Sequence, residues 1–557
     1  MILTRRQFGA ATFGGAFAQF VTRPAFAQPA FAAPVGPLSA AVDAIRAYGG
    51  EHLRHFGLPG MTLSLTTPTG FSAILNFGLA DRQPARLIGP KTLFQVGSIT
   101  KVMTAAIVHQ LASEGRLRLT DRISTLLPAV TLPATNMIAV QDLLDHVAGL
   151  PSDAPLDTQG GLWTGFAPGT HWHYSNTGYE ILGKLAEHAA GEPLARLFAK
   201  RIFAPAGMTR SRGAIVARDR ALFAQGYRAA DPAVPFALGM PLAPAPWVDV
   251  TSGAISVAST GTDMIRFLRA LSEVASGRGG LGLSPTAGTA LTGRAVQTDT
   301  PAMTYGNGLM HVGGDGRSYL HHTGGMVSFS SSFHLELASG AGAFACTNIS
   351  AFAEYRPRLL TRFAVDALTA AMAGRPLPAP PPLAVPLANA ASYVGTYAGR
   401  GGTFSVILGA PLTIVANGRS AALQPWSGEL FRTTHPDFRD FTLMFERRGA
   451  AIVGASWGSV SFTRAGSVAA FPPSNPALAP LTGTYVNDSP WWGTVRVVER
   501  GGRLWFGTET PMSRIGDNLW RVGWDAWSPE RAEFADAVNG LPRTLVYSGE
   551  RFIRSDG

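Results

Sequence analysis

Two residues, Ser98 and Lys101, stand three positions apart at the start of a long, mostly apolar run, 102–112. The length of that run, and its lack of glycine and proline, predict an α-helix. Residues i and i+3 are neighbours on a helix, so the lysine amine can reach the serine oxygen. Any fold for this chain must therefore keep the pair together on one helical face.

The serine–lysine pair has a chemical use. A serine hydroxyl is a weak nucleophile until a base takes its proton or a positive field lowers its pKa. Lys101 supplies either effect, and the positive end of the helix dipole favours a developing alkoxide on Ser98. Ser98 is therefore a candidate nucleophile, with Lys101 as its activator. The same residues also suit an ordinary helix N-cap, so the interpretation depends on whether the rest of a site follows.

A second polar motif, Tyr174-Ser175-Asn176, precedes a predicted helix at 180–190. A tyrosine near the serine can act as general base for the attack and as acid for the leaving group, if the lysine draws its proton away. Asn176 would offer an amide donor to a substrate carbonyl. The alternative is a polar turn that only begins the helix.

A third motif comes late in the chain, as His322-Thr323-Gly324-Gly325 before strand-like residues. At the start of an edge strand, it would present His322 and Thr323 to a substrate and leave the backbone free to pair with it. The Gly325 N–H, with the Ser98 N–H, would form an oxyanion hole. Adjacent histidines also bind metals, but no carboxylate or cysteine lies at a matching offset, so we predict no metal.

Taken in order, the three motifs resemble those of the serine β-lactamase and penicillin-binding protein superfamily, and its class C-like branch most closely. Two further segments, 143–151 and 305–309, are similar to landmarks of that family. The resemblance covers 38–372 and implies an α+β fold, in which a mostly antiparallel sheet packs against helices. It places the site between the sheet edge and an all-helical region. It also implies an acyl-serine intermediate and no metal or organic cofactor.

The resemblance assigns a role to each matched position: Ser98 the nucleophile, Lys101 its activator, Tyr174 the proton shuttle, Asn176 a carbonyl or lysine partner, and His322, Thr323 and Gly324 the substrate-side strand. One residue departs from the family pattern, because many penicillin-binding members carry lysine where His322 stands. Histidine is often uncharged at neutral pH and attracts a substrate carboxylate less. The departure favours an esterase or an aminopeptidase-like amidase over a carboxypeptidase or an efficient β-lactamase.

The C-terminal third contains an internal repeat after a proline-rich linker, 373–388. Its clearest marks are these: Gly395-Thr-Tyr397 recurs as Gly483-Thr-Tyr485, and Phe462-Thr-Arg464 recurs as Phe552-Ile-Arg554. Alternating apolar residues with glycine and asparagine turns predict short antiparallel strands. We therefore expect two small β-barrels, 389–470 and 471–557, with two halves of one barrel as the alternative.

A hydrolase domain followed by two barrels is similar to the architecture of bacterial D-aminopeptidases. In that family, a loop of the last domain narrows the active site to small substrates, and acidic residues help to hold the substrate amine. The acidic loop 524–536 is the candidate equivalent here. The alternative is that the barrels are spacers or wall-binding modules.

The first 27 residues resemble a bacterial twin-arginine export signal. Arg5 and Arg6 are followed by a glycine- and alanine-rich apolar stretch and a small-x-small site ending at Ala27. Cleavage after Ala32 is a second option. A membrane anchor is the weaker alternative, because glycines interrupt a run that is too short to span. We expect a periplasmic or secreted protein with no membrane span after the signal is removed.

Composition narrows the partners. The formal charge of +10 comes mostly from scattered arginines. The sequence contains no dense basic run, so we do not predict nucleic-acid binding. Cys346 is the single cysteine, so no internal disulfide forms, and its apolar neighbours predict a buried strand. We predict an exported serine hydrolase for small amides or peptides, D-aminopeptidase- or D,D-peptidase-like, with a homodimer left open. The alternatives are a carboxylesterase, a β-lactamase, or a non-catalytic wall or peptide binder.

Overall fold

The computed structural model describes residues 36–133, 137–314, 316–353, 355–384, 387–468 and 471–555. The predicted export signal, 1–27, lies outside these residues. No helix within the described ranges combines the length and the apolar character that are needed to cross a bilayer.

The first domain is built on an antiparallel sheet. The strands of this domain are β1 (Gly60–Thr66), β2 (Ser72–Arg82), β3 (Ala85–Leu87), β4 (Phe94–Gln95), β5 (Tyr227–Ala229), β6 (Leu242–Pro244), β7 (Ala258–Ser259), β8 (Val296–Gln297), β9 (Met303–Gly306), β10 (Leu309–Gly314), β11 (Arg317–Gly325), β12 (Ser330–Glu336) and β13 (Gly342–Thr347). Nine of the described strands form one sheet in the order β3-β2-β1-β13-β12-β11-β10-β9-β8. The strands β4 with β7, and β5 with β6, form two small separate pairs.

Helices cover both faces of this sheet. They are α1 (Pro37–His55), α2 (Thr100–Ser113), α3 (Ile123–Leu126), α4 (Val140–Leu144), α5 (Asn176–Ala190), α6 (Leu194–Leu197), α7 (Ala204–Ala206), α8 (Gly261–Ala275), α9 (Pro285–Gly293) and α10 (Arg358–Met372), with a π-helical turn at Phe198–Phe203 and 3₁₀ turns at Gly97–Ile99, Ala217–Leu222 and Ala351–Ala353. One core lies between the sheet and the pair α1 and α10. The larger core lies on the opposite face, around α2, α5 and α8.

The amphipathic and the fully buried helices differ as their sequences predict. In α1, the buried residues recur at helical spacing, as in Ala41, Ile45, Tyr48 and His52, so one stripe faces the sheet. In α2, every residue from Thr100 to Leu111 is buried. A helix that is buried all round needs partners on all sides, so α2 lies at the centre of the domain with the Ser98–Lys101 pair at its N-terminal end.

One strand assignment was wrong. The motif His322-Thr323-Gly324 lies in the second half of β11, which begins at Arg317 and is not an edge strand. Its first half pairs with β10, and that ladder ends at the pair His321 and Met310. Since β10 pairs with only the first half of β11, the backbone of 322–325 has no strand partner on that side.

The C-terminal repeat folds as two closed antiparallel barrels within the described part of the chain, which confirms two barrels over two halves of one. The first contains β14 (Gly395–Gly399), β15 (Gly402–Ile407), β16 (Leu412–Ala416), β17 (Arg419–Ser427), β18 (Leu430–Thr433), β19 (Leu443–Arg448), β20 (Ala451–Trp457) and β21 (Val460–Arg464). The second contains β22 (Gly483–Val486), β23 (Thr494–Arg500), β24 (Arg503–Phe506), β25 (Thr510–Arg514), β26 (Leu519–Val522), β27 (Arg531–Val538), β28 (Leu541–Tyr547) and β29 (Glu550–Ser555).

Equivalent repeat residues make equivalent contacts. A 3₁₀ turn precedes each barrel, Ala390–Tyr393 in one and Pro476–Leu481 in the other. The buried Tyr397 hydroxyl donates to the Tyr393 carbonyl at 2.6 Å, and Tyr485 donates to the Leu481 carbonyl at 3.0 Å. The repeated glycine-threonine-tyrosine motif therefore fastens the turn to the first strand of each barrel.

We expect Tyr397→Phe to lower the free energy of unfolding of the first barrel by about 1–2 kcal/mol, because a buried carbonyl loses its donor. Backbone amides of that barrel should exchange with deuterium roughly 5- to 30-fold faster. Tyr485→Phe is the matched control and should act on the second barrel only. Equal effects of either variant on both barrels would contradict this account.

Candidate active site

Two close backbone approaches place Ser98 beside the end of β11. Ser98 lies in the 3₁₀ turn that leads into α2, after Gly97, whose φ is 56°. A Cβ on Gly324 would lie 2.0 Å from the Val96 carbonyl oxygen, and a Cβ on Gly97 would lie 2.7 Å from the Gly325 nitrogen. Only glycine permits this contact, which sets the predicted oxyanion donors, the Ser98 and Gly325 N–H groups, on adjoining segments.

Lys101 is fully buried and pointed at the serine. Its Nζ donates to Ser98 Oγ at 3.0 Å, to Asn176 Oδ1 at 2.6 Å and to the Ala254 carbonyl at 3.2 Å. Burial lowers the pKa of Lys101 to about 7, against the attraction of nearby carboxylates. A large fraction of this amine is therefore neutral at pH 7 and able to accept a proton.

Asn176, the first residue of α5, serves the lysine. Its Oδ1 accepts from Lys101, and its Nδ2 donates to Asp153 Oδ1 at 2.7 Å. Of the two predicted roles, carbonyl partner and lysine partner, the geometry favours the second. Asp153 was not among the predicted site residues, because it stands in an irregular loop without periodicity or motif.

Tyr174 is held between two groups of the site. Its side chain lines the cavity together with Ser98, and the Lys101 amine lies 4.9 Å from the centre of its ring. Burial raises the pKa of Tyr174 well above its usual value, so the phenol keeps its proton at neutral pH. His146 packs on the ring at 4.4 Å and accepts the Ser175 N–H on Nδ1 at 3.1 Å.

His322 is neutral in this structure. Its Nε2 lies 3.3 Å from the Tyr305 hydroxyl, and its Nδ1 lies 2.6 Å from the Thr323 carbonyl oxygen. Burial first, and then the Lys101 charge, lower the pKa of His322 to about 3. The adjacent His321 points to the other side of the strand, where its ring stacks on His334 at 4.0 Å. No group of three or more potential metal-binding side chains occurs among the described residues.

The site opens into a cavity of about 540 Å³ between the first domain and the second barrel. Predicted residues that line it include Ser98, Tyr174, Asn176, His322, Thr323 and Gly325. The lining also includes residues that the sequence did not predict, among them Asp153, Glu180, Arg356, Trp491, Trp492 and Glu550. The second barrel therefore forms part of the cavity wall.

The barrel reaches the cavity by a different route from the predicted one. Trp491 and Trp492 lie in the β22–β23 connection, 487–493, which is longer than the equivalent 400–401 connection of the first barrel. This difference in length between the two repeat copies is visible in the sequence and could have identified the longer connection as a candidate part of the site. The predicted loop, 524–536, is a connection only as far as residue 530, because β27 begins at Arg531, and this connection instead packs against the loop that carries Tyr174, with Trp527 stacked on His171 at 4.7 Å.

The antiparallel sheet, the helical region and the buried serine–lysine pair with its tyrosine together match a domain of the β-lactamase type. The family model described as Beta-lactamase matches residues 44–366. The chain belongs to this family of serine hydrolases. Its homologues are β-lactamases and penicillin-binding proteins, as the sequence motifs predicted.

Two curated relatives illustrate the match. A beta-lactamase of Pseudomonas fluorescens is 30% identical over 168 residues, 28% of this chain and 47% of the relative. Penicillin-binding protein 4 of Amycolatopsis lactamdurans is 28% identical over 170 residues, 28% of this chain and 44% of the relative. The aligned segments thus span about half the length of the curated relatives.

Solved structures share the fold. The octameric penicillin-binding protein homologue from Pyrococcus abyssi aligns with a TM-score of 0.55 at 20% identity, over 76% of this chain and all of that one. The D-amino acid amidase of Ochrobactrum anthropi SV3 aligns with a TM-score of 0.51 at 23% identity, over 60% of this chain and 99% of that one.

The acylation rate of Ser98 should rise with pH through an apparent pKa near 7. Below that pH, Lys101 is protonated and cannot accept the serine proton; above it, the free amine can. The rate constant for labelling by a fluorophosphonate, followed from pH 5 to 9, measures this dependence. Lys184→Ala, at an exposed lysine, is the control and should leave the profile unchanged. A flat profile, or a rate that falls between pH 6 and 8, would contradict the assignment.

Proposed function

We propose that this protein is a serine hydrolase that forms an acyl-enzyme on Ser98 and cleaves small amides or peptides. The observation that carries the proposal is the buried Lys101 amine, 3.0 Å from Ser98 Oγ with a pKa of about 7. Such an amine is a general base matched to neutral pH.

Acylation needs three proton transfers. The Ser98 hydroxyl proton passes to neutral Lys101 while Oγ bonds to the substrate carbonyl carbon. The carbonyl oxygen becomes an oxyanion, which the Ser98 and Gly325 N–H groups stabilise. Tyr174 then gives its phenolic proton to the leaving nitrogen as the C–N bond breaks, and the Lys101 ammonium returns a proton to the phenolate.

Deacylation runs the same relay with water. A water molecule loses a proton to Lys101 and attacks the acyl carbon, and Ser98 Oγ recovers a proton as the C–O bond breaks. The high pKa of Tyr174 suits the acid role in acylation, because the phenol is protonated when the leaving group departs.

The charges around the cavity favour a substrate that carries an amine. Three lining side chains are carboxylic acids, Asp153, Glu180 and Glu550, and the same lining includes Trp491 and Trp492. Carboxylates and tryptophan faces both attract an ammonium group. His322, whose pKa burial lowers to about 3, supplies no fixed cation, and the one guanidinium on the described lining, Arg356, donates to the Ala351 and Tyr355 carbonyls, so carboxylic acids outnumber cations around the cavity. These features support a free α-amino group on the substrate over the terminal carboxylate of a D,D-peptidase substrate or a β-lactam.

The proposal includes a small substrate, a D-configuration and export. A cavity of about 540 Å³ with the barrel on its rim suits an amino acid amide or a dipeptide. The D-preference follows the resemblance to D-aminopeptidases, and the extracytoplasmic location follows the twin-arginine pattern of residues 1–27.

D-alanine p-nitroanilide should be hydrolysed, and its N-acetyl derivative should be about 10- to 100-fold poorer in kcat/KM, because acetylation removes a charge-assisted hydrogen bond to the carboxylates. The L-enantiomer tests the configuration, and Ser98→Ala is the control for both. Equal rates for the free and the acetylated amine would refute the amine preference. A stable adduct with benzylpenicillin, or rapid loss of the drug, would instead point to a penicillin-recognising enzyme.

Tyr174→Phe should slow amide turnover on the order of 10²-fold, and should slow turnover of an activated ester by less than about tenfold. An amide nitrogen must be protonated as it leaves, whereas p-nitrophenolate leaves without a proton. Comparison of kcat for D-alanine p-nitroanilide and D-alanine p-nitrophenyl ester measures the difference. Equal losses on the two substrates would remove Tyr174 from the acid role.

A further inference from the structure

A buried carboxylate of the second barrel, that of Glu530, contacts the first domain and immediately precedes β27. Its Oε1 accepts the Ser152 N–H at 2.7 Å and lies 3.1 Å from His173 Nε2, and its Oε2 accepts the Ser548 hydroxyl. Burial alone would raise the pKa of Glu530, but these hydrogen bonds outweigh that effect and hold the pKa below its usual value. The carboxylate is therefore ionised at neutral pH.

Each first-domain residue that Glu530 contacts stands next to a residue of the cavity. Ser152 precedes Asp153, which holds the Asn176 amide. His173 precedes Tyr174. One carboxylate oxygen thus fixes, from outside the domain, the two loops that carry the groups around Ser98.

The same two loops are bonded to each other. The Asn176 N–H donates to the Ser152 carbonyl at 2.7 Å, and the Ser152 hydroxyl donates to the Tyr174 carbonyl at 3.2 Å. Movement of either loop would therefore displace both the Lys101 partner and the proton donor.

The residues around the Glu530 carboxylate are closely packed against the first domain, which restricts its movement. The Trp163 indole N–H donates to the Pro529 carbonyl at 2.7 Å, and Trp527 stacks on His171. A Cβ on Gly165 would lie 2.2 Å from the Trp527 carbonyl oxygen, so the two backbones touch with no side chain between them. Because this contact between the barrel and the first domain is closely packed, a displacement of the barrel would also displace the two loops.

We propose that Glu530 is a positioning residue, through which the second barrel sets the geometry of Tyr174 and Asn176 for acylation of Ser98. The inference rests on the proposed function for its catalytic consequence. It does not make Ser152, His173 and Glu530 a second catalytic triad. Ser152 Oγ and Glu530 Oε1 contact the same ring atom of His173, Nε2, at 3.2 and 3.1 Å. In a catalytic triad, the serine and the carboxylate contact opposite ring nitrogens of the histidine.

Three full-length variants test the proposal. Glu530→Ala removes the acceptor, while Glu530→Gln keeps an oxygen for Ser152 and His173 without the charge. Glu533→Ala, at an exposed position of β27, is the matched control. The readouts are the rate constant, not the extent, of Ser98 labelling by a fluorophosphonate, and deuterium exchange of the peptides that cover 150–178.

We expect Glu530→Ala to slow labelling on the order of 10²-fold, the cost of a displacement near 1 Å at a reacting group, and to accelerate exchange in 150–178. Glu530→Gln and Glu533→Ala should keep the wild-type rate. A wild-type labelling rate in Glu530→Gln would show that residue 530 acts by position and not by charge. The rate constant, unlike the extent of labelling, does not change when part of the protein is unfolded.

Each other outcome has a defined meaning. Wild-type labelling rate and exchange in Glu530→Ala would overturn the inference and leave the proposed function intact. Failure of the wild-type protein to label at Ser98 would overturn the proposed function. In that case the exchange measurement still decides whether Glu530 fixes the two loops, since unchanged exchange in 150–178 would refute it.

Discussion

The burial of one amine, that of Lys101, is the constraint on which the site depends. An ammonium group loses several kcal/mol of hydration when it is buried, so it must be caged by oxygens or give up its proton. Here the cage is a serine hydroxyl, a backbone carbonyl and an asparagine amide, and the pKa falls to about 7. A helix that is buried on every side is needed to exclude water from this position, which explains why α2 lies between the sheet and the other helices.

Polar contacts continue outward from that amine to another domain. Lys101 donates to Asn176, Asn176 donates to Asp153 and to the Ser152 carbonyl, and the Ser152 N–H donates to Glu530 of the second barrel. Buried polar groups are stable only when each one is satisfied, so these links are interdependent. The catalytic geometry is in this sense a property of the whole chain and not of the β-lactamase-like domain alone.

The sequence predicted the parts of this structure that local patterns encode. The Ser98–Lys101 spacing, the Tyr174 and His322 motifs and the repeated Gly-Thr-Tyr marks each report on neighbours in the chain, and they identified the family and the two barrels. Asp153 and Glu530 were not assigned site contacts, because their value comes from partners far apart in sequence. Spacing also could not tell whether Asn176 faces a substrate or Lys101. The prediction that the His322 motif begins an edge strand was wrong, because no local pattern showed that β11 starts at Arg317 and pairs with β10. The expected free backbone at 322–325 is nevertheless present on that side.

The two barrels share one repeated sequence pattern, yet of the two described barrels only the second carries the long β22–β23 connection with Trp491 and Trp492. The residues that perform the chemistry belong to the first domain, whereas these tryptophans stand on a surface hairpin of another. A hairpin tolerates changes of length and sequence far better than a buried helix does. Substrate choice can therefore diverge among descendants of this chain by insertion or deletion in one hairpin, while the reaction itself is inherited unchanged.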